Sequence, residues 1–201
     1  MKLLHATGNL FKFSFMQNRL KKFDNIELVN PKMLGIKINV VEDGLTAEEN
    51  SIKKAKAYYE ATKLPTIAED SGLFIEKFSK EDQPGLFVRR VNGKEDLSDE
   101  EILQYYINKL NEYGGESLAN YQTSVCLVDK NGVAHSKTIN ETQFLLTSNK
   151  CEKPSIKGGI LECISYDIHA KKYFDERSED EQKEFYKKLD NEYIDLIKKH
   201  L

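Results

Sequence analysis

Two acids and a hydroxyl interrupt an apolar stretch that is typical of a buried strand. They are Glu69, Asp70 and Ser71, with apolar residues at 67–68 and 73–75 on either side. Burying unpaired carboxylates is unfavourable, so they need compensation. A divalent cation with a bound water would supply it, and one carboxylate could take the water's proton. The alternative is that Asp70 caps the next turn while Glu69 points to solvent. Acids are rare in apolar strands, which favours the metal site.

A second acidic segment, at residues 42–43, follows a predicted strand over 36–41 and precedes Gly44. Acids at a strand end can ligate a hard cation such as Mg²⁺, which uses few protein carboxylates and keeps several waters. Taken alone, the segment better fits a solvated turn followed by a surface ion pair such as Glu49–Lys53.

A short polar turn, "ATGNLFK" at residues 6–12, connects a predicted strand to a predicted helix. Amides at a helix start attract anions, and Gly8 permits close approach of a phosphate. Thr7 and Asn9 add polar side chains, and Lys12 adds a positive charge. The commoner explanation is an ordinary helix cap formed by Asn9.

A loop at residues 84–93 carries Arg89 and Arg90 between a Pro-Gly pair and Gly93. An arginine in such a loop can contact a phosphate or a base. A surface salt bridge is an equally good interpretation of these residues alone.

The composition limits the partners of this chain. It has 201 residues, 39% of them apolar, and a net charge of −3. A mildly acidic chain has no overall attraction for nucleic acid or anionic membranes, so we expect neither as a partner. Any bound polyanion must be held by local basic groups or by a metal.

The cysteines and histidines give no sign of a zinc site or a disulfide framework. Three cysteines lie far apart, at 126, 151 and 163, and form no CxxC pair. The four histidines are scattered, and we interpret them as structural or surface residues. No apolar span reaches about 18 residues, and the N-terminus lacks the apolar core of a signal peptide. We expect a cytoplasmic protein, with Cys126 as a small core residue.

The elements that must position these residues form a mixed α/β pattern. Capping-box patterns at Thr46, Ser98 and Ser178 predict three helix starts. A further helical pattern follows the 6–12 turn. Predicted strands cover 2–6, 36–41, 67–75, 121–128 and 133–147, and Asn131-Gly132 predicts a hairpin turn.

Four segments occur together in an order that resembles the inosine/xanthosine triphosphate pyrophosphatase family. They are "ATGNLFK", "EDGLTAEENSIKKA", "PTIAEDSGL" and "PGLFVRR". With the hairpin they cover about the first 135 residues. Members of that family hydrolyse non-canonical purine nucleoside triphosphates to the monophosphate and pyrophosphate.

The resemblance implies a role for each matching residue. Asp70 would be the general base and would lie at the metal, Glu42 would be a Mg²⁺ ligand, and Glu69 would be a supporting acid. The implied substrate-binding residues are Thr7, Gly8, Asn9, Lys12, Lys54, Ser71, Arg90, Lys187 and Lys188.

The last third departs from the family pattern. Relatives carry GFGYDPxF, and its counterpart here is "GGILECISYD" at 158–167. One alignment matches the glycines at 158–159 and places Ile160 on the aromatic and Cys163 on the acid. A shifted alignment instead places the Tyr-Asp pair at 166–167 on the family's Tyr-Asp pair.

The family's SHR motif, which reads the 6-keto purine, aligns with "EQKEFYKK" at 181–188. Lys187 then stands on the histidine and Lys188 on the arginine, and lysine lacks the planar fork of arginine. We therefore expect an enzyme with altered or relaxed base specificity. A catalytically weak or inactive nucleotide-binding protein on the same scaffold is the alternative.

By the same resemblance, residues 1–201 form a single domain of the α/β class. A mixed central sheet is flanked by helices, in two lobes with a substrate cleft between them. The implied assembly is a homodimer.

Overall fold

The computed structural model describes residues 1–94, 96–152 and 159–201. Within them, the helices are α1 (Leu10–Leu20), α2 (Ala47–Thr62), α3 (Asp99–Glu112) and α4 (Glu179–His200). The strands are β1 (Lys2–His5), β2 (Glu27–Val29), β3 (Thr66–Ile75), β4 (Glu116–Val128), β5 (Ala134–Asn140), β6 (Phe144–Thr147), β7 (Ser165–Asp167) and β8 (Lys172–Tyr173).

The strands form a mixed sheet in the order β2-β1-β3-β4-β6-β7-β8, with β5 paired to β4. Strand β1 runs parallel to β2, with Leu4 opposite Val29, and parallel to β3, with Leu4 opposite Thr66. Strands β4, β6, β7 and β8 pair antiparallel in turn. The prediction of a mixed central sheet flanked by helices is confirmed.

The chain forms two compact units whose boundaries fall within β3, β4, β5 and α4. The first unit comprises residues 1–71, 123–139 and 189–201. The second unit comprises residues 72–122 and 140–188.

The first unit packs α2 against the parallel strands through small residues. Ala55 of α2 is fully buried against Ala6, Ala68 and Cys126. Small side chains allow a helix and a sheet to approach closely, which places polar residues on neighbouring turns of α2 near β3. Cys126 is a core residue as predicted, and burial raises the pKa of its thiol to about 11.

The second unit is built on α3, which starts with the predicted capping box. The Ser98 hydroxyl accepts from the Glu101 amide, and the Glu101 carboxylate accepts from the Ser98 amide. Tyr106 and Leu110, one turn apart on the inner face, are fully buried. The helix ends before Gly114, which has a φ of 90° that suits glycine.

The longest helix, α4, begins after Ser178, as predicted. The Ser178 hydroxyl accepts from the Glu181 amide at 3.3 Å, and its own amide donates to the Glu181 carboxylate at 2.8 Å. Phe185, Leu189 and Tyr193 are buried at the predicted spacing. None of the helices in the described ranges is both long enough and apolar enough to cross a membrane.

The predicted strand at 36–41 is wrong. These described residues form no strand, and the segment that pairs with β1 is Glu27–Val29. Because β2 and β3 occupy both sides of β1, residues 36–41 have no place beside it and form a half-buried loop. The predicted strand at 133–147 divides into β5 and β6, and β4 begins at Glu116, earlier than predicted.

Candidate functional site

The 6–12 turn forms a helix cap at the start of α1. The Asn9 Oδ1 atom accepts from the amides of Phe11 (2.8 Å) and Lys12 (3.4 Å). The Thr7 hydroxyl accepts from the Asn9 amide at 3.1 Å. Apart from Gly8 and its two chain neighbours, no described residue has a heavy atom within 4 Å of the point where a Cβ on Gly8 would stand. The cap therefore exists as the commoner explanation predicts, and it leaves open space beside the turn for a ligand.

The acids at 69–70 do not close a strand, because β3 continues through them to Ile75. Glu69 is a buried structural carboxylate and not a solvent-facing one: its side chain is 7% exposed. The Tyr193 hydroxyl donates to its Oε2 atom, and His5 Nε2 lies 3.6 Å from its Oε1 atom. Glu69 therefore has its compensation within the protein.

The charge state of Glu69 follows from these neighbours. Burial would raise the pKa of its carboxyl, but the His5 ring and the charges of Lys12 and Arg19 outweigh it and hold that pKa well below its usual range. Arg19 is itself buried and pairs with Asp190 at 2.6 Å. His5 is the structural histidine that the sequence suggested. Sequence reasoning missed Arg19, because its charge acts on Glu69 across the fold rather than along the chain.

Asp70 is half-buried and held by a neighbouring amide. The Asn50 Nδ2 atom donates to its Oδ2 atom at 2.9 Å, and the Ser71 amide donates to its Oδ1 atom at 2.9 Å. The Asn50 Oδ1 atom accepts from the Gly44 amide at 2.8 Å. A Cβ on Gly44 would stand 2.6 Å from that oxygen, so the close approach requires glycine. Asn50, a buried polar residue of α2, links the 42–44 turn to Asp70 and was missed as a site residue.

Lys54 connects Glu42 to the same strand. Its Nζ atom lies 2.9 Å from a Glu42 carboxylate oxygen and donates to the backbone carbonyl of Glu69 at 3.3 Å. The first unit therefore brings Glu42, Lys54 and Asp70 into one neighbourhood. The surface pair predicted for Lys53 involves Asp43 instead of Glu49.

Ser71 is held from the neighbouring strand. Its hydroxyl lies 2.6 Å from the Thr123 hydroxyl, and Thr123 belongs to β4 within the same unit. Thr123 carries no motif, so the sequence alone gives no reason to select it.

The two arginines of the 84–93 loop differ. Arg89 forms the predicted surface salt bridge with Asp99 at 2.5 Å. Arg90 is exposed, and its guanidinium lies 4.6 Å from the centre of the Phe87 ring. The phosphate or base contact of Arg90 stays a prediction.

Lys187 and Lys188 both lie on exposed positions of α4 and both have protein partners. Lys187 pairs with Glu184 at 3.1 Å, and Lys188 donates to the backbone carbonyl of Asn140 at 3.0 Å. Their role in substrate binding stays a prediction.

The residues that the two alignments of the 158–167 segment select lie in different environments. Gly158 lies outside the described residues, while Ile160 and Cys163 are buried. In the shifted alignment, Tyr166 packs its ring edge-on against Tyr173, and Asp167 is buried.

Asp167 stabilises a turn. It accepts from the amides of His169 (2.9 Å) and Ala170 (3.0 Å) and pairs with Arg177 at 3.3 Å. These contacts use both carboxylate oxygens for structure.

Arg177, which sequence reasoning missed, lies at the centre of the second unit. Its side chain is 0% exposed, and its guanidinium stacks 3.7 Å from the Phe174 ring centre and 4.7 Å from that of Phe185. Glu162 lies 4.0 Å from it. Burial raises the pKa of the Glu162 carboxyl to about 8, because Arg177 only partly offsets it and Asp175 adds negative charge.

The donor set of the first unit fits Mg²⁺ bound together with a phosphate. Glu42 and Asp70 offer hard oxygen ligands, and Mg²⁺ is commonly held by one or two carboxylates plus substrate phosphates. Within the described ranges, no cluster of three or more His, Cys, Asp or Glu side chains could hold a metal by itself.

Comparison with known proteins connects this arrangement to one family. The model of the Ham1 family matches residues 3–147. A "dITP/XTP pyrophosphatase" from Leptospira interrogans is 33% identical over 125 residues, 62% of this chain and 61% of that protein. A protein of the same name from Escherichia coli K12 is 34% identical over 55% of this chain and 54% of that protein. Another from Aquifex aeolicus is 41% identical over 45% of this chain and 42% of that protein. The matches thus span less than two thirds of these relatives.

Solved structures share the fold. A HAM1 protein from Coxiella burnetii superposes with a TM-score of 0.79, at 21% identity and 99% coverage of both chains. The Ham1 protein of Staphylococcus aureus superposes with a TM-score of 0.76, at 20% identity and 98% coverage of both chains.

Proposed function

The chain belongs to the Ham1 family, and we propose that it hydrolyses nucleoside triphosphates to the monophosphate and pyrophosphate with the help of Mg²⁺. One observation carries this proposal: Asp70 is fixed by Asn50 next to the Glu42–Lys54 pair. Phosphoanhydride hydrolysis needs positioned charges more than covalent chemistry, and this arrangement provides a held carboxylate beside hard oxygen ligands and a lysine.

In the proposed reaction, Asp70 orients a water and accepts its proton as the water oxygen attacks the α-phosphorus. The bond to the β-phosphate breaks, and pyrophosphate leaves with the electron pair. Glu42 and Asp70 would hold Mg²⁺, which when bound supplies charge neutralisation at the phosphate oxygens. Thr7, Asn9 and Lys12 would bind the triphosphate.

The remaining assigned side chains complete the substrate contacts. The Ser71 hydroxyl and the Lys54 ammonium would contact phosphate oxygens. Gly8 would let a phosphate approach the turn. Arg90, Lys187 and Lys188 would contact the nucleoside side of the substrate.

We propose non-canonical purine nucleotides, such as ITP, XTP and dITP, as substrates. The names of the relatives support this class. Because lysines replace the family's His-Arg pair, we propose that base discrimination is relaxed. We further propose that the protein is cytoplasmic and forms a homodimer. Light scattering after gel filtration would test whether it is a dimer.

The test is an assay of pyrophosphate release from ITP, XTP and the canonical triphosphates with Mg²⁺. We expect turnover by the wild-type protein, a loss of at least about 100-fold in Asp70→Asn, and no turnover with EDTA. Asp43→Asn is the matched control, because Asp43 is an exposed acid of the same unit that pairs with Lys53.

Two outcomes would count against the proposal. An active Asp70→Asn variant would show that the base is another group. Tight nucleotide binding by calorimetry without turnover would indicate a nucleotide-binding protein in place of an enzyme.

A further inference from the structure

A cavity of about 420 Å³ lies in the first unit beside the turn that begins α1. Thr7 and Asn9 line one side of it, and Asn30, Lys32 and Lys37 line another. Its volume lies within the range of small-molecule pockets. The loop at 30–37 that walls it follows the carboxyl end of β2, where ligands commonly bind in open α/β sheets.

The cavity is positive in a chain that is negative overall. No Asp or Glu is among its described lining residues. Lys32 and Lys37 are exposed and form no ion pair with any residue in the described ranges. The other lysines of this unit include Lys53 and Lys54, which pair with Asp43 and Glu42. The lysines at the cavity are therefore available to an external anion.

The cavity also reaches the side of α2 that carries Lys54. Tyr58, one turn after Lys54, lines it. Burial raises the pKa of the Tyr58 hydroxyl, and the charge of Glu42 raises it further, so the ring lies within electrostatic reach of Glu42. Gly8 also lines the cavity, and the open space beside it gives a phosphate access to the turn. The cavity therefore adjoins the residues proposed to bind the triphosphate.

We infer that this cavity holds the pyrophosphate half of the substrate and that Lys32 and Lys37 bind its β- and γ-phosphates. This rests on the proposed function, which breaks the bond between the α- and β-phosphates. Negative charge develops on pyrophosphate as it leaves, and fixed cations at that point stabilise the transition state. Neither lysine lies in one of the four motif segments, although the family model spans the loop that carries them.

The test uses a double variant, Lys32→Gln/Lys37→Gln, in the full chain. Isothermal titration with pyrophosphate and Mg²⁺ should show at least about tenfold weaker binding than in the wild type. The KM for ITP should rise by a similar factor. The affinity for IMP, which lacks the β- and γ-phosphates, should not change.

The matched control is Lys21→Gln/Lys22→Gln, which removes the same charge from exposed lysines of the same unit that do not line the cavity. An equal loss of pyrophosphate affinity in both double variants would overturn the proposal, because it would reflect net charge alone. So would unchanged affinity in Lys32→Gln/Lys37→Gln, or no pyrophosphate binding by the wild type.

Pyrophosphate binding is measured without any nucleotide, so the two proposals fail separately. If the protein binds pyrophosphate through Lys32 and Lys37 but hydrolyses no triphosphate, the proposed function is wrong and the proposed site is supported. Equal hydrolysis of ITP by both double variants would support the proposed function and contradict the proposed pyrophosphate site.

Discussion

Glu69 in the first unit and Glu162 in the second are both largely removed from solvent, yet their pKa values move in opposite directions. The side chain of Glu69 is 7% exposed and that of Glu162 is 14% exposed. Glu69 accepts a hydrogen bond from Tyr193, and the charges of Lys12 and Arg19 lower its pKa. Among the described residues, the cation paired with Glu162 is Arg177, at 4.0 Å.

The difference shows that burial alone does not set the charge of a carboxyl group. Desolvation is the largest influence on the pKa of both residues and raises it in each. For Glu69 the neighbouring donors and cations outweigh it, whereas for Glu162 they do not. Arg177 lies closer to Asp167, at 3.3 Å, so its charge is shared. The first unit thus holds an anion directly beside Asp70, and the second holds a neutral acid at neutral pH.

The largest expected effect is the loss of the buried anion. Glu69→Gln keeps the shape of the side chain but leaves Arg19 and the His5 ring without its charge. We expect the free energy of unfolding at pH 7 to fall by about 3 kcal/mol, since breaking one member of a buried charged set is strongly destabilising. Urea denaturation measures this.

The matched variant in the second unit is Glu162→Gln. That carboxyl is neutral in the folded state at pH 7 but ionised in the unfolded state, so its replacement should raise the stability. Equal losses in the two variants would show that both glutamates are charged and would remove the contrast.

The next effect is the pH dependence of stability that Glu162 causes. Its folded-state pKa of about 8 lies above the unfolded value of 4.5, so the folded state binds more protons between these pH values. Its stabilising contribution is complete below about pH 4.5 and is lost as the pH rises towards 8. The wild type should therefore lose about 2 kcal/mol relative to Glu162→Gln between pH 6 and 8.

Unfolding curves of both proteins at pH 5, 6, 7 and 8 provide the measurement. If the stabilities of the two proteins change with pH in parallel, Glu162 is ionised in the folded state. Glu69 has the opposite sign: its lowered pKa gives a contribution that is present above the unfolded pKa and lost as the pH falls below it.

A smaller effect should follow from the hydroxyl that binds Glu69. Tyr193→Phe removes one hydrogen bond to a charged acceptor and should lower the free energy of unfolding by about 2 kcal/mol. Tyr106→Phe is the matched variant in the second unit, because the Tyr106 hydroxyl donates to the neutral carbonyl of Val88 at 3.0 Å. It should lower stability by about 1 kcal/mol. The reverse order would indicate that Glu69 is protonated.

Local signals in the sequence predicted local structure well. The caps at Thr46, Ser98 and Ser178 start helices because a capping side chain bonds to amides within three residues. The prediction of a strand at 36–41 was wrong because an apolar segment alone does not show which strand it pairs with. The segment 27–29 takes the place beside β1 instead.

The sequence selected candidate site residues but not the side chains that hold them in place. Asp70 was selected from its apolar neighbours and its motif, yet Asn50, which holds it, lies 20 residues away. Glu69 was recognised as a carboxylate that needs compensation. Its hydrogen-bond donor, Tyr193, lies 124 residues further along the chain, a separation that no spacing pattern reports. A metal was the predicted compensation, whereas Glu69 obtains it from the protein.

The smallest expected effect on stability is the removal of an exposed cation, which serves as the reference for the buried charges. Lys183 on α4 pairs with Asp180 at 3.1 Å and Glu179 at 3.8 Å, and its side chain is 68% exposed. Water screens these charges and the long side chain loses entropy on pairing, so Lys183→Ala should shift the melting temperature by about 1 °C or less. A shift as large as that of Glu69→Gln, measured by calorimetry under the same conditions, would mean that burial is not what makes the Glu69 cluster important.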